Sequence, residues 1–347
     1  MHLWDSQLYQ EDLQKGINIV VCFQRLKNCS ILVTGATGLV CSALIDILIN
    51  SKLGITVYAA TRNESKVKDR FNGQVEFLKY DATKPIEFDV DVDYIIHGAS
   101  NSSPNLYISE PVETMKANIN GMENLLDYSR EKGVKKIVYI SSSEVYGEKD
   151  TGKPFTEDQY GFIDLLSPRS SYSISKRATE TLLASYKSEY GIDFNIVRLG
   201  HIYGPTASKN DKRISSDFAY KAAMNENLTL KSLGDQVRSY CYCIDCASAI
   251  LTVLNLGKGG EAYNVSNRYS IITIRHMAQI LAAAAGEDLH FEIPKESEVK
   301  AFNPMNNSSL DSSKLEKLGW NGQFSPEEGL SHTVSILKEL LGDDRWN

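Results

Sequence analysis

From Ser30 to Pro205 the chain alternates short apolar runs with longer stretches in which apolar residues return every three or four positions. The runs "SILVTG", "ITVYAATR", "VEFLKYDAT", "VDYIIHGAS", "VKKIVYISSSEVYG" and "DFNIVRLGHIYGP" are rich in β-branched residues and short enough to be buried parallel strands. Between them, "GLVCSALIDILINS", "VETMKANINGMENLLDYSREKG" and a long segment from Tyr172 to Glu189 carry helical periodicity. This alternation predicts an α/β fold, a doubly wound parallel sheet of the Rossmann kind with helices on both faces. Beyond Pro205 the rhythm breaks into short strands mixed with helices, as in "LTLKSLGDQVRSYCYCIDCASAIL", "GGEAYNVSN" and "ITIRHMAQILAAAAG". A smaller, interleaved C-terminal α/β lobe that supplies substrate contacts is expected there. The predicted division is a helical extension over residues 1–28, a dinucleotide-binding domain over 29–205, and a substrate lobe over 206–347. The extension is expected to cover an edge or the bottom of the sheet.

Composition narrows the partners. With 37 basic and 44 acidic residues the net charge is −7, and no long single-sign run provides a footprint for nucleic acid. The longest apolar run, near Ile19 to Phe23, is far too short to cross a bilayer, so no membrane span is expected. The cysteines Cys22, Cys29, Cys41, Cys241, Cys243 and Cys246 lie in or beside apolar segments, with no secretory leader ahead of them. Reduced thiols in the cytoplasm are expected. In "CYCIDC", Cys241 and Cys243 alternate as strand residues do and no histidine pair follows, so packing is expected there and no metal site.

The turn "TGATGLVC" joins the first strand to the first helix of the alternating series. Gly35 and Gly38, with Thr37 and Leu39 beside them, suit a tight turn that brings a pyrophosphate to the free amides of a helix N-terminus. The third small position is Cys41, which fits but is expected to push the helix slightly outward. The second strand ends in "AATRNES" without an acid for the adenosine ribose, and Arg62 stands where one is often found. An arginine there suits a 2′-phosphate, hence NADP, or stacks on adenine and tolerates NAD. Asp81 in "KYDAT" either accepts from the adenine amino group or caps its own turn. Ala82, with Ala99 and Ser100 after the fourth strand, completes the expected cofactor wall.

"SSYSISKRATETL" sets Tyr172 and Lys176 four apart, on one face of a helix. A lysine beside a phenol stabilises the phenolate and so lowers the pKa at which the tyrosine exchanges a proton. The ordered series "TGATG", "IIHGAS", "SSSEVYG", "YSISK", "VRLGHIYGP", "RSYCYCIDCASAI", "EAYNVSN" and "LGW" resembles the extended short-chain dehydrogenase/reductase family, the NAD-dependent nucleotide-sugar epimerases and dehydratases. The resemblance covers residues 30 to about 330. It implies that Ser142 holds a sugar hydroxyl, that Tyr172 takes its proton as hydride leaves C4 for nicotinamide, and that Lys176 tunes Tyr172 and binds the nicotinamide ribose. It also implies a tightly held NAD, and commonly a homodimer through the helices "VETMKANINGMENLLDYSREKG" and "YSISKRATETLLASYKSEYG".

The residues after Ser142 sort the chemistry. Dehydratases of the family carry an aspartate and a glutamate there; Ser143 replaces the aspartate, which disfavours dehydration. Ser143 followed by Glu144 is similar to UDP-glucuronate decarboxylases, as are the loop "HGASNSSPNLYISEPVETMKAN" and the approach "SPRSSYSISK". This implies a 4-keto intermediate, loss of carbon dioxide and re-reduction, with Glu144 near C5 and Arg238 aimed at the nucleotide-sugar. Two departures stand out: His201 replaces the asparagine expected before "YGP", and Ser173 to Ser175 replace an acidic, glycine-containing spacer. A nucleotide-sugar 4-epimerase and an NADPH-dependent 4-ketosugar reductase are the alternatives. A non-catalytic dinucleotide sensor is disfavoured because Ser142, Tyr172 and Lys176 are all present. The bland reading of Glu144 is that it caps local backbone amides.

Overall fold

The computed structural model describes residues 2–101, 104–149, 152–292 and 305–342. Its centre is a seven-stranded parallel sheet of β1 (Ser30–Thr34), β2 (Thr56–Thr61), β3 (Glu76–Lys79), β4 (Tyr94–His97), β5 (Lys136–Ser142), β6 (Phe194–Leu199) and β10 (Glu261–Val265). The order is β3-β2-β1-β4-β5-β6-β10, so the winding reverses between β1 and β4. A crevice opens at the carboxyl ends of strands at such a reversal, which is where open α/β sheets bind ligands.

Strand alternation distributes the core. Ile31 and Val33 of β1 face one apolar layer with α1 (Gln7–Ile19), α2 (Leu39–Asn50) and α8 (Cys243–Leu256). Leu32 faces the other, with α5 (Pro111–Lys132) and α6 (Ser171–Tyr190). Period-two side chains on a strand buried on both faces produce this division. Helix α5 starts with a proline in its first turn and ends at Gly133, whose φ of 66° closes the last turn in the left-handed region.

Helices α3 (Glu64–Phe71), between β2 and β3, and α4 (Pro104–Ser109), after β4, complete the first half. The second lobe holds β7 (His201–Tyr203), α7 (Ile214–Ala223), β8 (Leu228–Leu230), β9 (Val237–Tyr242), β11 (Ile271–Thr273), α9 (Ile274–Ala285), β12 (Leu289–Phe291), β13 (Asn307–Ser308), α10 (Ser313–Glu316) and α11 (Pro326–Leu341). Strand β9 pairs with β7, β11 and β13, and β8 pairs with β12.

Two expectations are corrected. The N-terminal helix α1 packs on the helices α2, α8 and α11 rather than on an edge or the bottom of the sheet. Buried acids tie it there: Asp12 accepts from Tyr242 Oη at 2.8 Å, while Asp46 accepts from Trp4 Nε1 at 3.0 Å and from Tyr9 and Arg70. Cys243 is not a strand residue; Tyr242 is the N-cap and Cys243 the first residue of α8. All six cysteines are free thiols, and among the described residues no cluster of His, Cys, Asp or Glu is placed to hold a metal ion. No helix among the described residues is long and apolar enough to cross a membrane.

Candidate active site

A single cavity of about 980 Å3 runs from the glycine turn, past the ends of β4 and β5, to β9 in the second lobe. At one end Gly35 has φ +68°, and a Cβ there would lie 2.9 Å from the Ala99 nitrogen and from Gly98. Gly38 is the N-cap of α2, and no side chain caps that helix, leaving its first amides directed at the cavity mouth. Cys41 finds its space across the crevice: a Cβ on Gly98 would sit 2.4 Å from the Cys41 sulfur, so the missing side chain of Gly98 accommodates the thiol. Thr34 Oγ1 accepts from the Gly98 and Ala99 nitrogens, both at 3.2 Å, fixing the turn after β4.

Thr37, Leu39, Ala82, Ala99 and Ser100 line the same cavity, as do Arg62 and Asp81. Asp81 caps its own turn, accepting from Thr83 N at 3.0 Å and Thr83 Oγ1 at 2.8 Å. Its carboxyl is held below the usual range by that backbone bond and, more weakly, by Lys84 and Arg62. The Arg62 guanidinium is exposed.

Ser142, Ser143, Glu144, Tyr172 and Lys176 come together in the middle of the cavity. Ser142 ends β5 and its Oγ accepts from Glu144 N at 3.2 Å; Ser143 is buried behind it. Lys176, 3% exposed, donates from Nζ to the Ile140 carbonyl at 2.8 Å and lies 4.5 Å from the Tyr139 ring centroid and 5.7 Å from that of Tyr172. Burial lowers its pKa to about 7. The phenol departs from the sequence expectation. Burial, then the Glu144 carboxylate, push Tyr172 up to about 12, opposed by the neighbouring Ser142 and Tyr107 hydroxyls and by Arg213.

Glu144 neither caps backbone nor stands free. Arg169 grips it from two nitrogens, Nη1 to Oε2 at 2.8 Å and Nη2 to Oε1 at 3.0 Å. Tyr107 of α4 stacks on Tyr172 with centroids 4.3 Å apart and planes 9° apart. Arg213, gripped by Asp211, also lines the cavity. None of these three was singled out as a site residue. Arg169 and Tyr107 do fall inside segments that resemble the decarboxylases, whereas "KNDKRIS" around Arg213 carries no comparable signal. His201 of β7, paired with Tyr240 of β9, and Arg238, two residues earlier on β9, both line the cavity. Burial and the charges of Arg238 and Arg213 lower the His201 pKa to about 3, which makes it a neutral ring whose buried Nδ1 has no partner among the described residues. Arg238 is 3% exposed and donates to the Val237 and Asn306 carbonyls at 2.9 and 3.4 Å.

Residues 31–266 match the family described as NAD dependent epimerase/dehydratase family. The chain belongs to that family. UDP-glucuronic acid decarboxylase 6 of Arabidopsis thaliana is 30% identical over 319 residues, which span 91% of this chain and 90% of that relative. Among solved structures, a UDP-glucose 4-epimerase of Thermotoga maritima with UDP-glucose superposes with a TM-score of 0.77 at 26% identity, covering 90% of this chain and 99% of the other. A dTDP-glucose 4,6-dehydratase of Streptomyces venezuelae with NAD and TYD bound gives 0.76 at 25% identity, covering 90% and 98%.

The protein is therefore an enzyme of an NAD-dependent epimerase/dehydratase family, and its own residues fit the cofactor. The Gly35 cradle leaves room that any side chain would fill, the α2 amides suit a diphosphate, and Lys176 Nζ lies in the cavity beside Tyr172.

Proposed function

We propose that the protein is a UDP-glucuronate decarboxylase. The observation that carries this reading is Arg238, a buried guanidinium whose partners among the described residues are carbonyls rather than a carboxylate, in one cavity with the Glu144–Arg169 fork and Tyr172. A buried cation without a counter-ion is costly, and an anionic ligand group offsets that cost. A nucleotide-linked uronate brings both a diphosphate and a carboxylate, the two groups a guanidinium fork binds well. The Arabidopsis relative, matched along most of both chains, is named for this activity.

In this reading Ser142 orients the C4 hydroxyl and Tyr172 takes its proton. NAD, when bound, supplies the oxidation at C4 and the closing reduction, and is unchanged overall. The C4 ketone is β to the C6 carboxylate, so the C5–C6 bond breaks with its electron pair settling as an enolate. Carbon dioxide leaves, and C5 takes a proton before C4 is reduced. Arg169 sets where Glu144 points; Glu144 orients the leaving carboxylate or transfers the proton at C5. Neutral His201 donates to sugar or diphosphate through a ring N–H.

A homodimer through α5 and α6 in the cytoplasm belongs to the same proposal, supported by exposed Val112 and Met115 on α5 and Tyr190 on α6. A 4-epimerase is the second reading, favoured by the Thermotoga maritima structure. Incubation with UDP-glucuronate separates them: decarboxylation releases carbon dioxide without added NADH, whereas inversion at C4 with the carboxylate retained establishes an epimerase.

A further inference from the structure

We propose that the segment ahead of β1 is a pH-sensitive strap: α1 ties the cofactor helix α2 to the substrate lobe, and a charge pair between Asp12 of α1 and His332 of α11 holds it shut at acidic pH and loosens as the histidine loses its proton.

The segment lies outside residues 31–266 that match the family, and none of its described residues lines the cavity. On one side it is fastened to the dinucleotide domain. Trp4 Nε1 and the Tyr9 hydroxyl both donate to Asp46 of α2, a carboxylate with no exposed surface that also pairs with Arg70 of α3. Gly16 lets α1 settle between two helices: a Cβ there would run into Ile244 of α8, with Ile47 of α2 at 3.1 Å. On the other side the fastening is Asp12, equally buried. It accepts from Tyr242 Oη at 2.8 Å, and His332 Nδ1 donates to its Oδ1 at 2.9 Å and lies 3.1 Å from Oδ2. Tyr242 closes β9, the strand that carries Arg238. Lys15 adds an outer pair with Glu328 Oε1 at 2.6 Å and sits 5.1 Å over the Phe324 ring, which packs against Tyr242 and His332.

A carboxylate without exposed surface depends on its partners, because an unpaired buried charge is costly. His332 is the partner whose charge changes within the ordinary pH range. The charged groups that bear on it are Asp12 and Lys15 of α1 and Glu328 one turn back on its own helix. Of the other elements packed on α11, β9 brings Tyr242, bonded to the same Asp12, and α9 brings His276, 3.9 Å from Glu327. Helix α7 brings Asp217 and Lys221, which pair with each other at 2.8 Å. Asp12 dominates, and its hydrogen bond raises the His332 pKa above the ordinary value. The pair therefore favours the docked strap in full below about pH 6.5, and that contribution is lost as pH rises through the raised value of the docked state.

Amide hydrogen exchange of the full chain, corrected for intrinsic rates and with α5 as the internal reference for global stability, reads the strap without any sugar bound. Raising the pH from 6 to 8.5 should lower the protection of α1 relative to α5 by about fivefold. Amides of α2 should lose protection together with those of α1. His332→Gln keeps a donor and drops the charge; its α1 should be less protected at pH 6 and no longer respond to pH. Asp12→Asn should flatten the response in the same way. Wild-type α1 protection that is the same at both pH values overturns the inference even if neither variant folds. So does a pH response that persists in His332→Gln, or an opening of α1 that leaves α2 as protected as before.

Discussion

Arg169 holds Glu144 by two hydrogen bonds of 2.8 and 3.0 Å, and so decides both the direction and the charge balance of a carboxylate that bears on Tyr172. A lysine cannot reproduce the fork. Arg169→Lys should reduce turnover by on the order of 10²-fold, corresponding to about 2–3 kcal/mol for a broken, largely desolvated pair. Measured NAD affinity should stay near wild type, because the fork lies away from the glycine turn.

Lys176 works at the expense of stability. Burial depresses its folded pKa to about 7 from an ordinary 10.5, so the unfolded chain binds the extra proton between those values. Its burial therefore opposes folding in full below pH 7, and the opposition fades as pH rises toward 10.5. Lys176→Met should abolish turnover yet raise the thermal midpoint, with a larger gain at pH 6 than at pH 9. A midpoint lowered equally at both pH values would contradict this.

The Cys41–Gly98 contact predicts a compensating pair. Gly98→Ala drives a Cβ to 2.4 Å from the Cys41 sulfur and should destabilise by about 1–3 kcal/mol. Cys41→Ala should recover part of that loss in the double variant; Ile140 at 3.1 Å and the Thr34 carbonyl at 3.3 Å limit the recovery. Chemical denaturation of the four proteins in the cycle measures the coupling.

Arg62 is the residue expected to set the cofactor preference at the adenosine end. It lines the cavity with no acid beside it on β2, and the nearby Asp81 is occupied by Thr83. Arg62→Asp should weaken NADP binding by about tenfold or more relative to NAD, measured by titration calorimetry with each dinucleotide.

The parts of this molecule legible in its sequence are those written locally. Period-two apolar runs sent Ile31 and Val33 to one layer and Leu32 to the other, and "TGATG" placed its glycines where turn and helix meet. The Tyr172–Lys176 spacing likewise placed both residues on one face of α6. What distance in the chain concealed was the company these residues keep. Tyr107 and Arg169 reach the site from separate connections around the winding reversal, and no periodicity marks a residue whose partner lies in another loop. For the same reason the pKa of Tyr172 was misjudged, since it depends on burial and Glu144 more than on Lys176. Cys243 shows a different ambiguity: a short apolar run continues equally well as strand or as buried helix, and the helix begins there.

The central claim concerns bond cleavage at C5 with the cofactor unchanged. Incubating the purified protein with UDP-glucuronate in deuterium oxide and reading the sugar by proton NMR tests it most directly. The account predicts a UDP-pentose carrying one solvent deuteron at C5, with no net change in dinucleotide absorbance. A UDP-hexuronate recovered with its carboxylate in place, inverted at C4 or untouched, would contradict it.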